Sequence, residues 1–291
     1  MEKTTIGGPT IIVCTTFRDF KGTDNDKIQL LFLEYLKRQT YKNWIIAVTL
    51  FGEKNVLPTL VREGIPHVAR DGDARTDRYS NTEVWMSGIE LSKQYPNHIL
   101  LWTTCDVMLD EDFFEQVVRH TTPGTCGTTY PNIAYRSVGE QKSGTGGRYY
   151  WEGGDLFFFS SDVFQNTEVL RTIKEYRNDG WGATEFYLQA LGLIFCKNRI
   201  NLWPAKLSKV DNDRALTDET RAFLSATNDR NAAILRELAS SRGLSPNMQT
   251  WINRFHSPRP LAFLPMRFLI WFQSHFRIRL LGVRYHLKRL F

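Results

Sequence analysis

Residues 97–120 read NHILLWTTCDVMLDEDFFEQVVRH, and this stretch decides the fold. Asn97–Thr104 is an apolar run of strand length with no polar alternation, so it predicts a strand buried on both faces. Asp106 follows at once, and Asp110–His120 returns to helical spacing. A buried strand that passes through a carboxylate into a helix is one unit of a parallel α/β sheet. Ligands of such sheets collect at the carboxyl ends of the strands, so Asp106 stands where chemistry is expected. The alternative is a plain carboxylate at a turn or helix N-terminus.

Upstream, the same alternation repeats. Thr10–Thr16 (TIIVCTT) predicts a strand. Asp26–Arg38 predicts a helix with Ile28, Leu31, Phe32, Tyr35 and Leu36 as its apolar stripe. Asn43–Leu50 is a second strand, Asn55–Glu63 a helix and Pro66–Ala69 a short strand. Ser80 and Glu83 have capping-box spacing and open a helix running to about Gln94. Strand–helix alternation predicts a mainly parallel sheet with helices on both faces. After Thr121 the chain turns rich in Gly, Thr and Tyr. Ser137–Gly147 reads as a mobile loop, Asp155–Ser160 as a strand and Gly182–Leu191 as a helix. Leu193–Asn198 reads as a strand, and Thr217–Ser241 as a long amphipathic helix ended by Gly243.

The 291 residues are 42% hydrophobic and 23% charged, which excludes a disordered chain, a collagen-like repeat and a coiled coil. The net charge of +6 is local. Residues 257–291 hold Arg259, Arg267, Arg277, Arg279, Arg284, Lys288 and Arg289 and no acid. Without those seven, the chain's 37 basic residues fall to 30 against 31 acids, so the body is near neutral. No basic stripe continues into the body, and nucleic acid is not an expected partner. Cys14, Cys105, Cys126 and Cys196 show no metal-binding spacing and read as free thiols of a reducing compartment. The start, MEKTTIGGPT, carries no apolar signal segment, and no stretch reaches the ~18 apolar residues of a membrane span.

Four segments carry a resemblance. Ile12-Val13-Cys14-Thr15-Thr16-Phe17-Arg18 is similar to a VVIPTYNR strand and turn, and Gln39-Thr40-Tyr41-Lys42-Asn43-Trp44-Ile45-Ile46-Ala47-Val48 to QTYxNxEIIVV. Trp102–Phe114 is similar to FLDADDxLxPDFL, and Gly180-Trp181-Gly182-Ala183-Thr184-Glu185 to GWGxED. In this order they resemble family 2 glycosyltransferases of the GT-A fold. That fold is Rossmann-like, with a mixed, mainly parallel sheet. The resemblance spans residues 10–190 and implies transfer of a sugar from a nucleotide sugar.

What the resemblance implies for the site follows residue by residue. A departing diphosphate builds negative charge, which the family's DxD motif meets through Mn²⁺ or Mg²⁺. Asp106 matches the second Asp of that motif, the metal-binding one, whereas Thr104 stands at the first. Thr15, Thr16 and Arg18 match the nucleotide-contacting turn. The family's acidic base-reading residue is missing, with Thr49-Leu50-Phe51-Gly52-Glu53 in its place, and Arg70, Asp71 and Asp73 after the third strand are expected to take over base or ribose contacts. The alternative for them is a solvated charged loop. Glu185 is the candidate base for inversion and Asp155 a second candidate. Trp151, Gly154, Trp181 and Gly182 belong to the acceptor side, where either indole stacks on a sugar face or packs in the core. No His stands at the usual third-ligand position. His256 is the candidate there, with Lys206 or Lys209 as a direct substitute for metal charge.

The tail is read from its residues alone. Phe276, Leu280, Val283, Leu287 and Phe291 recur on one helical face, with Arg277, Arg284 and Lys288 on another. A basic amphipathic helix suits an anionic membrane surface; packing on the domain or on a second copy is the alternative. The expected organisation is a GT-A domain over 1–256, divided into a nucleotide-sugar half (1–120) and an acceptor half (121–256), and a membrane-associating tail over 257–291. The expected reaction moves a hexose or N-acetylhexosamine to a glycan or lipid-linked saccharide at the cytoplasmic face of a membrane. The rival readings are an inactive saccharide-binding or scaffold protein of the same fold and a nucleotidyltransferase.

Overall fold

The computed structural model describes residues 8–18, 25–52, 55–72, 81–129, 133–149, 156–175, 188, 191–192, 194–202 and 207–210, together with 233, 237, 240 and 241. The chain divides into two units, Met1–Ile252 and Asn253–Phe291, and all described residues belong to the first.

The first half follows the alternation in the sequence. Strand β1 (Thr10–Arg18) leads to α1 (Asn25–Arg38), β2 (Trp44–Phe51), α2 (Leu57–Arg62), β3 (His67–Asp71), α3 (Asn81–Ser92) and β4 (His98–Thr103). A two-residue strand β5 (Val107–Met108) precedes α4 (Phe113–His120). The second half holds β6 (Thr125–Thr129), β7 (Ile133–Tyr135), α5 (Val138–Ser143), β8 (Arg148–Tyr149), β9 (Leu156–Ser160), α6 (Thr167–Glu175), β10 (Asn198–Asn201) and β11 (Ser208–Val210).

Among the described residues the strands form two sheets, ordered β10-β6-β9-β4-β1-β2-β3 and β5-β11-β7-β8. In the larger sheet β1 pairs in parallel with both β2 and β4, while β9 runs antiparallel between β4 and β6. Period-two alternation along each strand divides the core. Ile11, Val13 and Phe17 face α1, α2 and α4 through Ile28, Phe32, Leu60 and Phe114. Ile12 and Cys14 face α3 and α6 through Val84, Trp85 and Ile173. Phe157, Phe158 and Phe159 of β9 are all fully buried, because that strand is covered on both faces.

Two expectations are corrected. Ser137–Gly147 is not a loop throughout, since it contains α5. Ser137 Oγ accepts the Glu140 N–H, Glu140 Oε2 accepts the Arg136 N–H at 2.9 Å, and Gly144 ends the helix at φ +66°. These are capping-box and left-handed C-terminal signals. Leu193–Asn198 is not a strand. Ile194 and Phe195 are helical, the Cys196 N–H donates to the Gly192 carbonyl at 3.2 Å, and the strand begins only at Asn198. Cys196 therefore lies outside a strand. Of the predicted helix Gly182–Leu191, Leu188 and Leu191 are described and helical. Of the predicted helix Thr217–Ser241, Ala233, Glu237, Ser240 and Ser241 are described, helical and exposed.

All four cysteines are free. Burial pushes the Cys14 thiol far up, and a hydrogen bond with Cys196 together with burial raises Cys126. Neither is a ready thiolate nucleophile. Among the described residues no helix is long and apolar enough to cross a membrane.

Candidate active site

The larger sheet builds outward from β1 in one direction through β2 and β3, and in the other through β4. The strand order therefore reverses between β1 and β4, and the crevice at their carboxyl ends is the expected ligand position. Arg18 closes one side of it and the turn Thr104–Asp106 the other.

Beside β1, two polar side chains of α1 hold the strand end. Gln29 Oε1 accepts the Arg18 N–H at 2.7 Å, and the Arg18 carbonyl accepts Asn25 Nδ2 at 2.7 Å and Gln29 Nε2 at 3.2 Å. Asn25 and Gln29 are themselves buried, one helical turn apart. Two amides one turn apart beside the apolar stripe of α1 are the sequence signal for this brace. Thr15 and Thr16 are buried within β1 rather than standing at its open end. Thr16 lies in register with Thr49 of β2. The hydroxyls of Thr15, Thr16 and Thr49 have no hydrogen-bond partner among the described residues.

At the end of β4 the carboxylate of Asp106 engages both oxygens. The Thr104 hydroxyl donates to Oδ1. Lys209 Nζ stands 3.7 Å from Oδ2, and the two side chains are only 14% and 16% exposed. Backbone pairing sets this geometry. The Val210 N–H donates to the Asp106 carbonyl at 2.9 Å, and β11 pairs antiparallel with β5, placing Lys209 opposite Val107.

The fold also explains the QTY segment. Gln39 Nε2 donates to the Asp110 carbonyl at 2.7 Å and Oε1 accepts the Phe114 N–H at 3.1 Å. The Thr40 N–H donates to the Glu111 carbonyl at 2.8 Å, and the Tyr41 hydroxyl to the Pro9 carbonyl at 2.6 Å. The segment therefore braces the chain leaving the Asp106 turn.

By structure the chain is similar to S. aureus TarS 1–349 in complex with UDP, with a TM-score of 0.55 and 9% identity over 87% of this chain and 74% of that one. The fold is of the GT-A glycosyltransferase type. It is also similar to TarS 1–349 with UDP-GlcNAc (TM-score 0.49, 8% identity, covering 79% and 71%). A third similar structure is the mannosyltransferase PcManGT from Pyrobaculum calidifontis with GDP-Man and Mn²⁺ (TM-score 0.49, 10% identity, covering 86% and 69%). No protein-family model matches the sequence, and no curated protein matches it by sequence.

In this GT-A frame the remaining candidates fall as follows. Arg70 and Asp71 are exposed at the end of β3, in register with Thr49 and Leu50. Arg70 Nη2 donates to the Glu83 carbonyl of α3 at 3.0 Å, which draws the side chain along the sheet edge. Strand β9 begins at Leu156, paired with Thr103, the last residue of β4. Asp155 thus precedes a residue that sits beside the Asp106 turn. Asp73, Trp151, Gly154, Asp155, Trp181, Gly182, Glu185, Lys206 and His256 lie outside the described residues.

The expected Mn²⁺ or Mg²⁺ can be tested against the donors at this turn. Among the described residues no three His, Cys, Asp or Glu side chains group to hold a metal. Asp106 brings a carboxylate whose one oxygen takes the Thr104 hydroxyl and whose other faces an ammonium. A dication on Oδ2 would sit beside that ammonium, and like-charge repulsion would offset part of what the single carboxylate contributes. The described donor set does not fit a divalent cation.

Proposed function

We propose that the protein transfers a hexose or N-acetylhexosamine from a nucleotide sugar to a glycan or lipid-linked saccharide, with inversion. The observation that carries this reading is the Thr104–Asp106 turn, set by β11 at the carboxyl end of β4 in a GT-A sheet. The donor lies across the switch point, its nucleoside toward β1–β3 and its diphosphate toward Asp106. Arg18, Arg70, Asp71 and Asp73 take the nucleotide edge.

In the reaction an acceptor hydroxyl oxygen attacks the anomeric carbon. The bond from that carbon to the β-phosphate oxygen breaks, and its electron pair leaves with the nucleoside diphosphate. The acceptor proton passes to a carboxylate, assigned to Glu185, with Asp155 as the second candidate. Trp151 and Trp181, with Gly154 and Gly182, form the acceptor side, where an indole offers the apolar surface that pyranose C–H groups need. The basic tail, residues 257–291, holds the enzyme on the anionic cytoplasmic face of a membrane, where lipid-linked acceptors are presented.

A panel of nucleotide sugars tests the reading by thermal shift and by release of nucleoside diphosphate. One class of donor should stabilise the protein and be turned over. If no nucleotide sugar binds or reacts, the chain has the fold without the activity.

A further inference from the structure

We propose that Lys209, held in place by Asp106, supplies the positive charge for the departing diphosphate in place of a divalent cation. This rests on the reading that the site takes a nucleotide sugar.

Three observations converge on this assignment. The first is position. Lys209 belongs to β11, and the ladder to β5 together with the Val210 N–H bond to the Asp106 carbonyl fixes its backbone opposite the turn that ends β4. The ammonium therefore stands at the switch point, where the diphosphate is expected, and not on an outer face of the sheet.

The second is the charge inventory. Two carboxylates and a dication sum to zero. Here Thr104, a neutral hydroxyl, replaces one carboxylate, and Asp106 with Lys209 again sums to zero without any metal. Each oxygen of Asp106 has its own partner, so the carboxylate is already occupied in orienting the lysine.

The third is the environment. An exposed ion pair does little, but these side chains are 14% and 16% exposed, so the charge is poorly screened by water. At 3.7 Å the ammonium is drawn to Oδ2 without the short geometry of a hydrogen bond. An ammonium carries three donors, so Lys209 can face Asp106 and a second anion together.

When the glycosidic bond breaks, its electron pair stays on the β-phosphate oxygen, which gains one unit of negative charge. Lys209 meets that charge as an ammonium and keeps its proton; the acceptor's proton goes to the carboxylate base. Lys209 thus touches the leaving group, and Asp106 acts through it as a positioning residue.

The test is calorimetric binding of UDP, GDP and dTDP, and of the matching monophosphates, to the full chain in EDTA and in Mn²⁺. Turnover of the cognate nucleotide sugar is followed in the same buffers. The wild type should bind its diphosphate and turn over its donor equally well in EDTA. Lys209→Met keeps the aliphatic stem and should weaken diphosphate affinity about 10- to 100-fold, the range for losing one charged partner. Monophosphate affinity should change by less than about 3-fold, and Lys209→Arg should recover most of the loss. Wild-type binding or turnover that requires Mn²⁺ overturns the proposal, and needs no variant to do so. A folded Lys209→Met that binds the diphosphate as the wild type does also overturns it. If the wild type binds no nucleoside diphosphate in either buffer, the nucleotide-sugar reading itself falls, and this assignment with it.

Discussion

Gln39 and Phe114 lie 75 residues apart in sequence, yet the Gln39 amide oxygen accepts the Phe114 backbone N–H at 3.1 Å inside the core. The same side chain donates to the Asp110 carbonyl at 2.7 Å and is fully buried. One glutamine thereby closes the turn between the end of β5 and α4, downstream of Asp106.

Gln39→Ala should cost about 1–3 kcal/mol of stability, because it strands the buried Phe114 N–H, while the Asp110 carbonyl keeps the Phe113 N–H at 3.0 Å. Thr40→Ala, at an exposed position, should cost well under half of that. Urea denaturation of both variants checks this. Equal losses would mean that the brace contributes nothing beyond local propensity.

Gly127→Ala should destabilise by about 1–3 kcal/mol or more, the usual cost of overpacking. Gly127 of β6 pairs with Phe158 of β9, and a methyl group at Gly127 would fall inside the fully buried Phe158 ring. Combining it with Phe158→Leu should restore part of the loss. A neutral Gly127→Ala in thermal melting would show that the β6–β9 packing is looser than the structure has it.

Glu185→Gln should lower turnover by about 10²–10⁴-fold, the scale for losing a general base, with nucleotide-sugar affinity unchanged. Single-turnover kinetics and donor titration separate the two effects. If the donor no longer binds, Glu185 serves the nucleotide site or the fold. If turnover survives there but collapses in Asp155→Asn, the base is Asp155.

Truncation after Ser257 should release the body from anionic vesicles while leaving donor turnover intact. Each of the seven basic residues lost contributes about 1 kcal/mol near an anionic surface. Full-length binding should weaken as salt rises. Co-sedimentation at two salt concentrations is the measurement. A full-length protein that stays in the supernatant at both rules out the membrane role for the tail.

The sequence by itself determined the strands and helices whose apolar pattern leaves no alternative. Thr10–Arg18, Trp44–Phe51 and His98–Thr103 are mostly apolar runs without polar alternation, covered on both sides, and Asn25–Arg38 carries one apolar stripe. Those elements impose a parallel sheet, and with it the carboxyl-end position of Asp106. Local chemistry also specifies α5 through Ser137, Glu140 and Gly144, a signal that its small polar residues hide.

Tertiary structure decided the rest. Asn198–Asn201 is a largely exposed polar stretch that becomes a strand because β6 pairs with it, and Thr125–Thr129 keeps a glycine at its centre because Phe158 fills the space above. No period within either segment encodes those partners. The same holds at the site. The sequence places Asp106 at a strand end and offers Lys206 or Lys209 as a counter-charge. The position of Lys209, 3.7 Å from Asp106, comes from the pairing of β11 with β5, a contact that closes a long loop of chain and is invisible to any local window.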